Sequence, residues 1–224
     1  AVAHNLSPWQ APGLRCLAAA LPAHRRRAAQ PEGRATVMTA ADVHTALEWG
    51  IGMPESPAAT ATLFLDFDGV LHPEHGHPSR FFEALPLLAT VLLPRPWVEV
   101  VVSSNWRYER ADGSATSVWR LKPMEKANEW LQAEPLLCQR VVGINPLMPD
   151  RSQLPDRVLA YEREAQCLAW QRAWRPSRLH WLALDDRSWL FSPFCPQLFE
   201  TDGTQGLLPE QLPALAARLD AMRN

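Results

Sequence analysis

The sequence predicts an α/β fold, a three-layer arrangement with a parallel sheet between helices. Three observations predict it. From residue 61 onward, short apolar runs alternate with longer segments of helical character, the pattern of strands joined by crossover helices. The apolar runs are nearly continuous, as expected of strands buried on both faces. Notable polar residues collect where these runs end, and the ligand crevice of an open parallel sheet lies outside the carboxyl ends of its strands.

The expected strands are Thr62–Asp66, Trp97–Ser103, Arg140–Ile144 and His180–Asp185, with a weaker fifth at Leu198–Thr201. Helices are expected at about 79–93, 123–133, 156–174 and 209–222. No internal repeat is visible. The first 37 residues differ from the rest: they hold five arginines and one acid, a charge of +4, against −6 for the remaining chain. This Ala/Pro/Arg-rich piece has no sustained period and reads as disordered or loosely attached. Met38 is the expected natural start of translation. Residues 41–49 suit a short helix, and Gly50–Thr60, with two prolines and two glycines, reads as a linker. The division is therefore an N-terminal extension over 1–60 and a globular domain over 61–224.

Composition removes several classes. No run approaches 18 apolar residues, so no membrane-spanning helix is expected. A net charge of −2 gives no global case for a nucleic-acid binder. Cys16, Cys138, Cys167 and Cys195 show neither zinc-site spacing nor a disulfide framework, and a reducing cytoplasm fits them. Lys122 and Lys126 are the only lysines among 22 basic residues. Any cation needed for chemistry is therefore expected to be an arginine.

The strand ends carry the chemistry. The first ends in Asp66-Phe67-Asp68-Gly69-Val70, the second in Ser103-Ser104-Asn105, the fourth in Asp185-Asp186-Arg187. Residues two apart in extended chain point the same way, so Asp66 and Asp68 can face one site. Gly69 permits a sharp turn close to a ligand. Alone, Asp-Gly is an ordinary turn signal and Asp-Asp an ordinary loop start. Together at the ends of buried strands they form a crevice of carboxylates, which repel one another unless a cation joins them. Hard oxygen ligands of this kind select Mg²⁺.

Leu63-Phe-Leu-Asp-Phe-Asp-Gly-Val-Leu71 resembles the first motif of the haloacid dehalogenase-like (HAD) superfamily. Val100-Val-Val-Ser103-Ser104 resembles its second, and Leu182-Ala-Leu-Asp185-Asp186 its fourth. The three follow the family's order over roughly 125 residues. The local flavour, with Ser104-Asn105-Trp106-Arg107 and a late Gly206-Leu207, is most similar to HAD domains associated with bacterial RNA-repair proteins.

The resemblance implies a Rossmann-like sheet of order 3-2-1-4-5, strand one central. It implies a Mg²⁺-dependent phosphatase with Asp66 as nucleophile and Asp68 as general acid and base. An Asp66 oxygen, the Asp68 carbonyl and Asp185 or Asp186 would hold the metal. Ser103, with Ser104, Asn105 and Gly69, would bind the phosphoryl group. The family's third motif is a lysine. Here Lys122 and Lys126 lie 63 and 59 residues before Asp185, whereas Arg163 lies 22 before it and is expected to take that place. An arginine there clamps charge and donates no proton. Arg107 and Arg187 are rival phosphate clamps.

His72, His75 and His77 are expected in a solvated loop, with His72 the one within reach of a leaving group. Trp106 is the tryptophan placed to stack on a base. In this family, inserted caps enclose small substrates. About 30 residues separate Val70 from the second strand, and 106–155 holds little beyond a helix, a strand and a helix. The site is thus expected to be capless or minimally capped, open to a polynucleotide end, a nucleotide or a phosphoprotein. The alternative is a non-catalytic binding module on the same fold. A receiver-type phosphorylation domain would need a lysine late in the chain, and none follows Lys126.

Overall fold

The computed structural model describes residues 50–54, 58–111, 113, 119–147, 160–177 and 180–223. The expectations for residues 1–49, including Met38, the basic tail, Cys16 and the helix at 41–49, lie outside the described residues. Among the described residues eight strands are seen: β1 Ile51–Gly52, β2 Ala61–Leu65, β3 Val98–Val102, β4 Tyr108–Arg110, β5 Trp119–Leu121, β6 Val141–Ile144, β7 Trp181–Asp185 and β8 Leu198–Glu200. The α-helices are α1 Leu85–Leu92, α2 Met124–Leu131, α3 Pro135–Cys138, α4 Glu162–Trp174 and α5 Leu212–Asp220.

Six strands form one sheet in the order β1-β6-β3-β2-β7-β8, and β4 and β5 form a separate hairpin. From β6 to β8 the strands are parallel, with β2 in the middle. The three inner strands β2, β3 and β7 are buried along their whole length. Their side chains alternate between two packed layers. Leu63, Leu65, Val100, Val102, Leu182 and Leu184 join α1, α2, α3 and α5 in the larger one. Phe64, Val101 and Ala183 meet Cys167 and Trp170 of α4 in the other. This is a sheet with helices on both faces.

The structure corrects the linker reading at its first residues. Ile51–Gly52 pairs antiparallel with β6, and the Trp170 Nε1–H donates to the Ile51 carbonyl at 2.8 Å. Two residues held mainly through their backbone leave no hydrophobic period to read. The β4–β5 hairpin and α3 were likewise unannounced. The helix expected over 79–93 starts only at Leu85, after a 3₁₀ turn at Pro78–Arg80. Phe82 interrupts it with a φ of 63°, and Pro86 fits the opening turn that follows, where its missing N–H costs nothing. Among the described residues no helix is long and apolar enough to cross a membrane.

Candidate active site

Each of the five parallel strands delivers a polar residue at its carboxyl end: Asp66, Ser103, Asn145, Asp185 and Thr201, all buried. The register sets this convergence. Leu65 lies beside Val102 and Leu184 lies beside Leu65, so the residues that follow come out at one level.

Asp66, Asp185 and Asp186 can each place an oxygen within 4.8 Å of the others. Arg163, in the first turn of α4, stands among them. Its Nη1 donates to Asp66 Oδ2 at 3.0 Å and to Asp185 Oδ2 at 2.9 Å, and its Nη2 to Asn105 Oδ1 at 3.3 Å. Burial works against the guanidinium charge, but Asp185 and Asp66 outweigh it and keep Arg163 protonated. Burial pushes the Asp185 carboxyl up, against the pull of Arg163. Asp186 is pushed up to about 6 by burial and by the neighbouring Asp66 charge. The other Asp66 oxygen accepts from the Phe67 N–H at 2.7 Å.

This donor set fits a divalent cation. Three carboxylates stand against Arg163, and Arg187, paired with Glu74, also brings its Nε to 4.0 Å from Asp186 Oδ1, so that four acids meet two guanidiniums. Asp186 Oδ1 is buried without a hydrogen-bond partner. Gly69, at φ 72°, and Gly203 press on that carboxylate so closely that a Cβ at either would lie 2.3 or 2.4 Å from it. The cradle thus admits Asp186 only because both positions lack a side chain, and Asp186 Oδ1 accepts no hydrogen bond there, with Arg187 Nε 4.0 Å away.

Asp68 stands apart from this cluster. Its two oxygens both accept from the Trp106 indole N–H at 3.0 Å, and Oδ1 lies 3.1 Å from His72 Nε2. The Phe82 N–H points to His72 Nδ1 at 3.4 Å, which makes Nε2 the protonated nitrogen that donates to Asp68. Burial alone would raise the Asp68 carboxyl, but the His72 and Trp106 donors overcome it and hold the group below its ordinary range.

Residues 62–212 match the family described as the HAD domain in Swiss Army Knife RNA repair proteins. The chain belongs to this family. No curated protein and no solved structure matches it.

Within the HAD domain, the sequence-predicted residues divide. Asp66, Asp185, Asp186 and Arg163 meet at one point, with Asn105 on Arg163. Ser103 lies at the neighbouring strand end, where its Oγ accepts from Asn145 Nδ2 at 2.8 Å. Ser104 is fully buried and caps the following turn, its Oγ accepting from the Trp106 N–H at 3.4 Å. Asp68 contributes its side chain to the His72 and Trp106 pair rather than to the three-carboxylate group.

Two expectations are corrected. Arg107 is no phosphate clamp: it is fully buried, and its Nη1 donates to the carbonyls of Ser103 and Ser104 while Nη2 reaches Gln166 Oε1 at 2.7 Å. It holds the second strand end in shape. His72 is not solvated but fully buried under Phe81 and Phe82, while His75 and His77 are exposed as expected. Residues missed by the sequence reading are Asn145, Gln166 and Thr201, whose Oγ1 donates to the Gly69 carbonyl at 2.8 Å. Asn145 and Thr201 had a signal: each follows an apolar run as Ser103 does. Gln166 had none, since only the packing of α4 brings it to Arg107.

Proposed function

We propose that this HAD domain hydrolyses phosphomonoesters with Mg²⁺, through a phosphoryl group carried on Asp66. The observation that carries the reading is the charge arrangement. A three-carboxylate cluster holding one guanidinium lies at the strand ends, with a fourth carboxylate, Asp68, held separately by His72 and Trp106.

Asp66, Asp185 and Asp186 would hold the metal, which on binding would neutralise phosphate charge so that one anion can approach another. The chain's own groups do the rest. An Asp66 oxygen bonds to phosphorus as the ester P–O bond breaks, and Asp68 gives its proton to the departing oxygen. Water then attacks the same phosphorus, passing a proton back to Asp68, and the Asp66–phosphorus bond breaks. Asp68 enters as a carboxylate, because His72 and Trp106 hold its pKa down. Its first proton arrives with the substrate, whose second phosphate ionisation lies at about 6. Arg163 and Asn105 orient the phosphoryl oxygens without exchanging protons.

The substrate we favour is a phosphate on a nucleotide or a polynucleotide end. The family's place in RNA repair proteins supports this. So does the accessibility of the acid: the Asp68 side chain is 25% exposed, whereas that of Asp66 is 4%. The test is release of phosphate from p-nitrophenyl phosphate, nucleotides, 3′- and 5′-phosphorylated oligonucleotides and phosphopeptides, with Mg²⁺ and with EDTA. Hydrolysis of nucleotides or oligonucleotides that EDTA abolishes is expected. If no member of the panel is hydrolysed, the domain is a binding module.

A further inference from the structure

A cavity of about 280 Å³ is lined by Phe81, Phe82, Trp106 and Trp130, with Glu129 and Gln132 among its polar residues; Asp68 does not line it but is hydrogen-bonded to its Trp106. None of the three clustered carboxylates lines it. Trp106 connects it to the chemistry: the indole that borders the cavity is the one whose N–H grips both Asp68 oxygens. We propose that this cavity binds a planar heteroaromatic ring carried by the leaving group, a nucleobase in chemical terms. The proposal rests on the hydrolase reading above and names the part of the substrate that the site selects.

Position gives the first argument. Asp68 must reach the oxygen that departs, so whatever is attached to that oxygen lies on the Asp68 side of phosphorus. One indole away is an aromatic wall. Phe81 and Phe82 meet the Trp106 ring edge-on at 5.3 and 5.4 Å, and Trp130 does so at 6.1 Å. Rings of this kind hold a flat π-system better than an aliphatic chain of the same size.

Backbone strain gives the second. Phe82 has a φ of 63°, a conformation that a bulky aromatic residue adopts only when its surroundings impose it. The imposing group includes His72, which accepts from the Phe82 N–H and donates to Asp68. One imidazole therefore bonds both the backbone of a cavity residue, Phe82, and the acid Asp68. The third argument is polarity. Glu129 and Gln132 are exposed; with Glu129 Oε2 engaged by Lys126, the other carboxylate oxygen and the amide suit the N–H and carbonyl groups on a heterocycle's edge better than a hydrocarbon ring.

The test compares esters with the same alcohol chemistry, with and without a base. For adenosine and uridine 5′-monophosphates kcat/KM is measured against ribose 5-phosphate, and for their 3′ isomers against ribose 3-phosphate. The better base-bearing isomer is expected to exceed its base-free counterpart by roughly tenfold or more. Trp130→Leu should bring that ratio toward one, and Phe81→Leu should do the same if Trp130→Leu does not fold. A wild-type ratio near one, or a ratio unmoved in the folded variants, overturns the proposal. Binding of adenosine and uridine to Asp66→Asn by calorimetry separates the two readings. Binding that Trp130→Leu removes, with no hydrolysis of any ester, leaves the cavity assigned and defeats the hydrolase. Hydrolysis without base preference and without nucleoside binding does the reverse.

Discussion

Helix α4 carries a buried arginine at each end, and the two ends of the sheet receive them differently. At the amino ends of the strands, Arg175 meets Glu99 in a fork, Nε to Oε1 at 2.6 Å and Nη2 to Oε2 at 3.0 Å. Its Nη1 donates to the carbonyls of Met53 and Trp174, and the Thr62 hydroxyl donates to Glu99. Here, among the described residues, one guanidinium is matched to one carboxylate. At the carboxyl ends, Arg163 faces Asp66 and Asp185 with Asp186 alongside. Both clusters are buried and both are built on the same helix. Burial and ion pairing alone therefore do not distinguish a staple from a site. The ratio of charges does, because an unbalanced cluster in a crevice is poised for a further cation and a substrate.

The comparison is sharpest in the nucleophile. Asp66→Asn keeps the shape and one partner's geometry while removing the attacking charge. Steady-state turnover is expected to fall to background with little change in melting temperature. Asp68→Asn leaves the attack intact but removes the proton carrier. A loss of roughly 10²–10⁴-fold is expected, larger on alkyl than on aryl phosphates because an aryl oxide departs with less help.

At the other end the effect should move from rate to stability. Arg175→Met takes the guanidinium away from the buried Glu99 carboxylate. A loss of about 3–5 kcal/mol is expected in chemical denaturation, with kcat of the folded protein unchanged. Replacing Glu99 by Leu as well should recover most of that loss, since a buried pair exchanged for apolar residues is often neutral. A folded Arg175→Met protein that had lost turnover would break the division between staple and site.

The pH dependence of the unbalanced cluster is a smaller effect with a definite sign. Asp186 has an ordinary value of 3.8 when unfolded and about 6 in the metal-free fold. The folded state thus holds a proton that the unfolded chain has released. This stabilising contribution is complete at low pH and is lost as pH rises from 3.8 through about 6, and the raised Asp185 acts in the same direction. Melting temperature without metal should show this fall, and added Mg²⁺ should raise it most above pH 6 and least below. The smallest expected change is Thr201→Val, which removes the hydroxyl bond to the Gly69 carbonyl. About 1 kcal/mol of stability is at stake, with a modest weakening of Mg²⁺ binding read by calorimetry, because Gly69 backs Asp186.

Much of this was legible in the chain. β2, β3 and β7 lie within a residue or two of the expected runs because fully buried parallel strands write themselves as unbroken apolar sequence. Asp66, Ser103 and Asp185 were legible because they end those runs. Arg163 was legible through the family's spacing rather than through any local pattern. His72 and Arg107 were not: a polar residue in a loop reads as solvated, and only aromatic cover from Phe81 and Phe82 or carbonyls from Ser103 and Ser104 reveal it as buried.

The sequence by itself determined the class of fold, the strand ends and the acidic groups upon them, since strand burial and the two-residue period are properties of neighbouring residues. The tertiary structure decided which guanidinium stands among the carboxylates and which merely braces a loop. It decided that a two-residue segment at Ile51 completes the sheet edge and that one imidazole and one indole hold Asp68. Those contacts join residues 97, 119 and 38 positions apart, and at such separations only the packing of α4 and the twist of the sheet determine who meets whom.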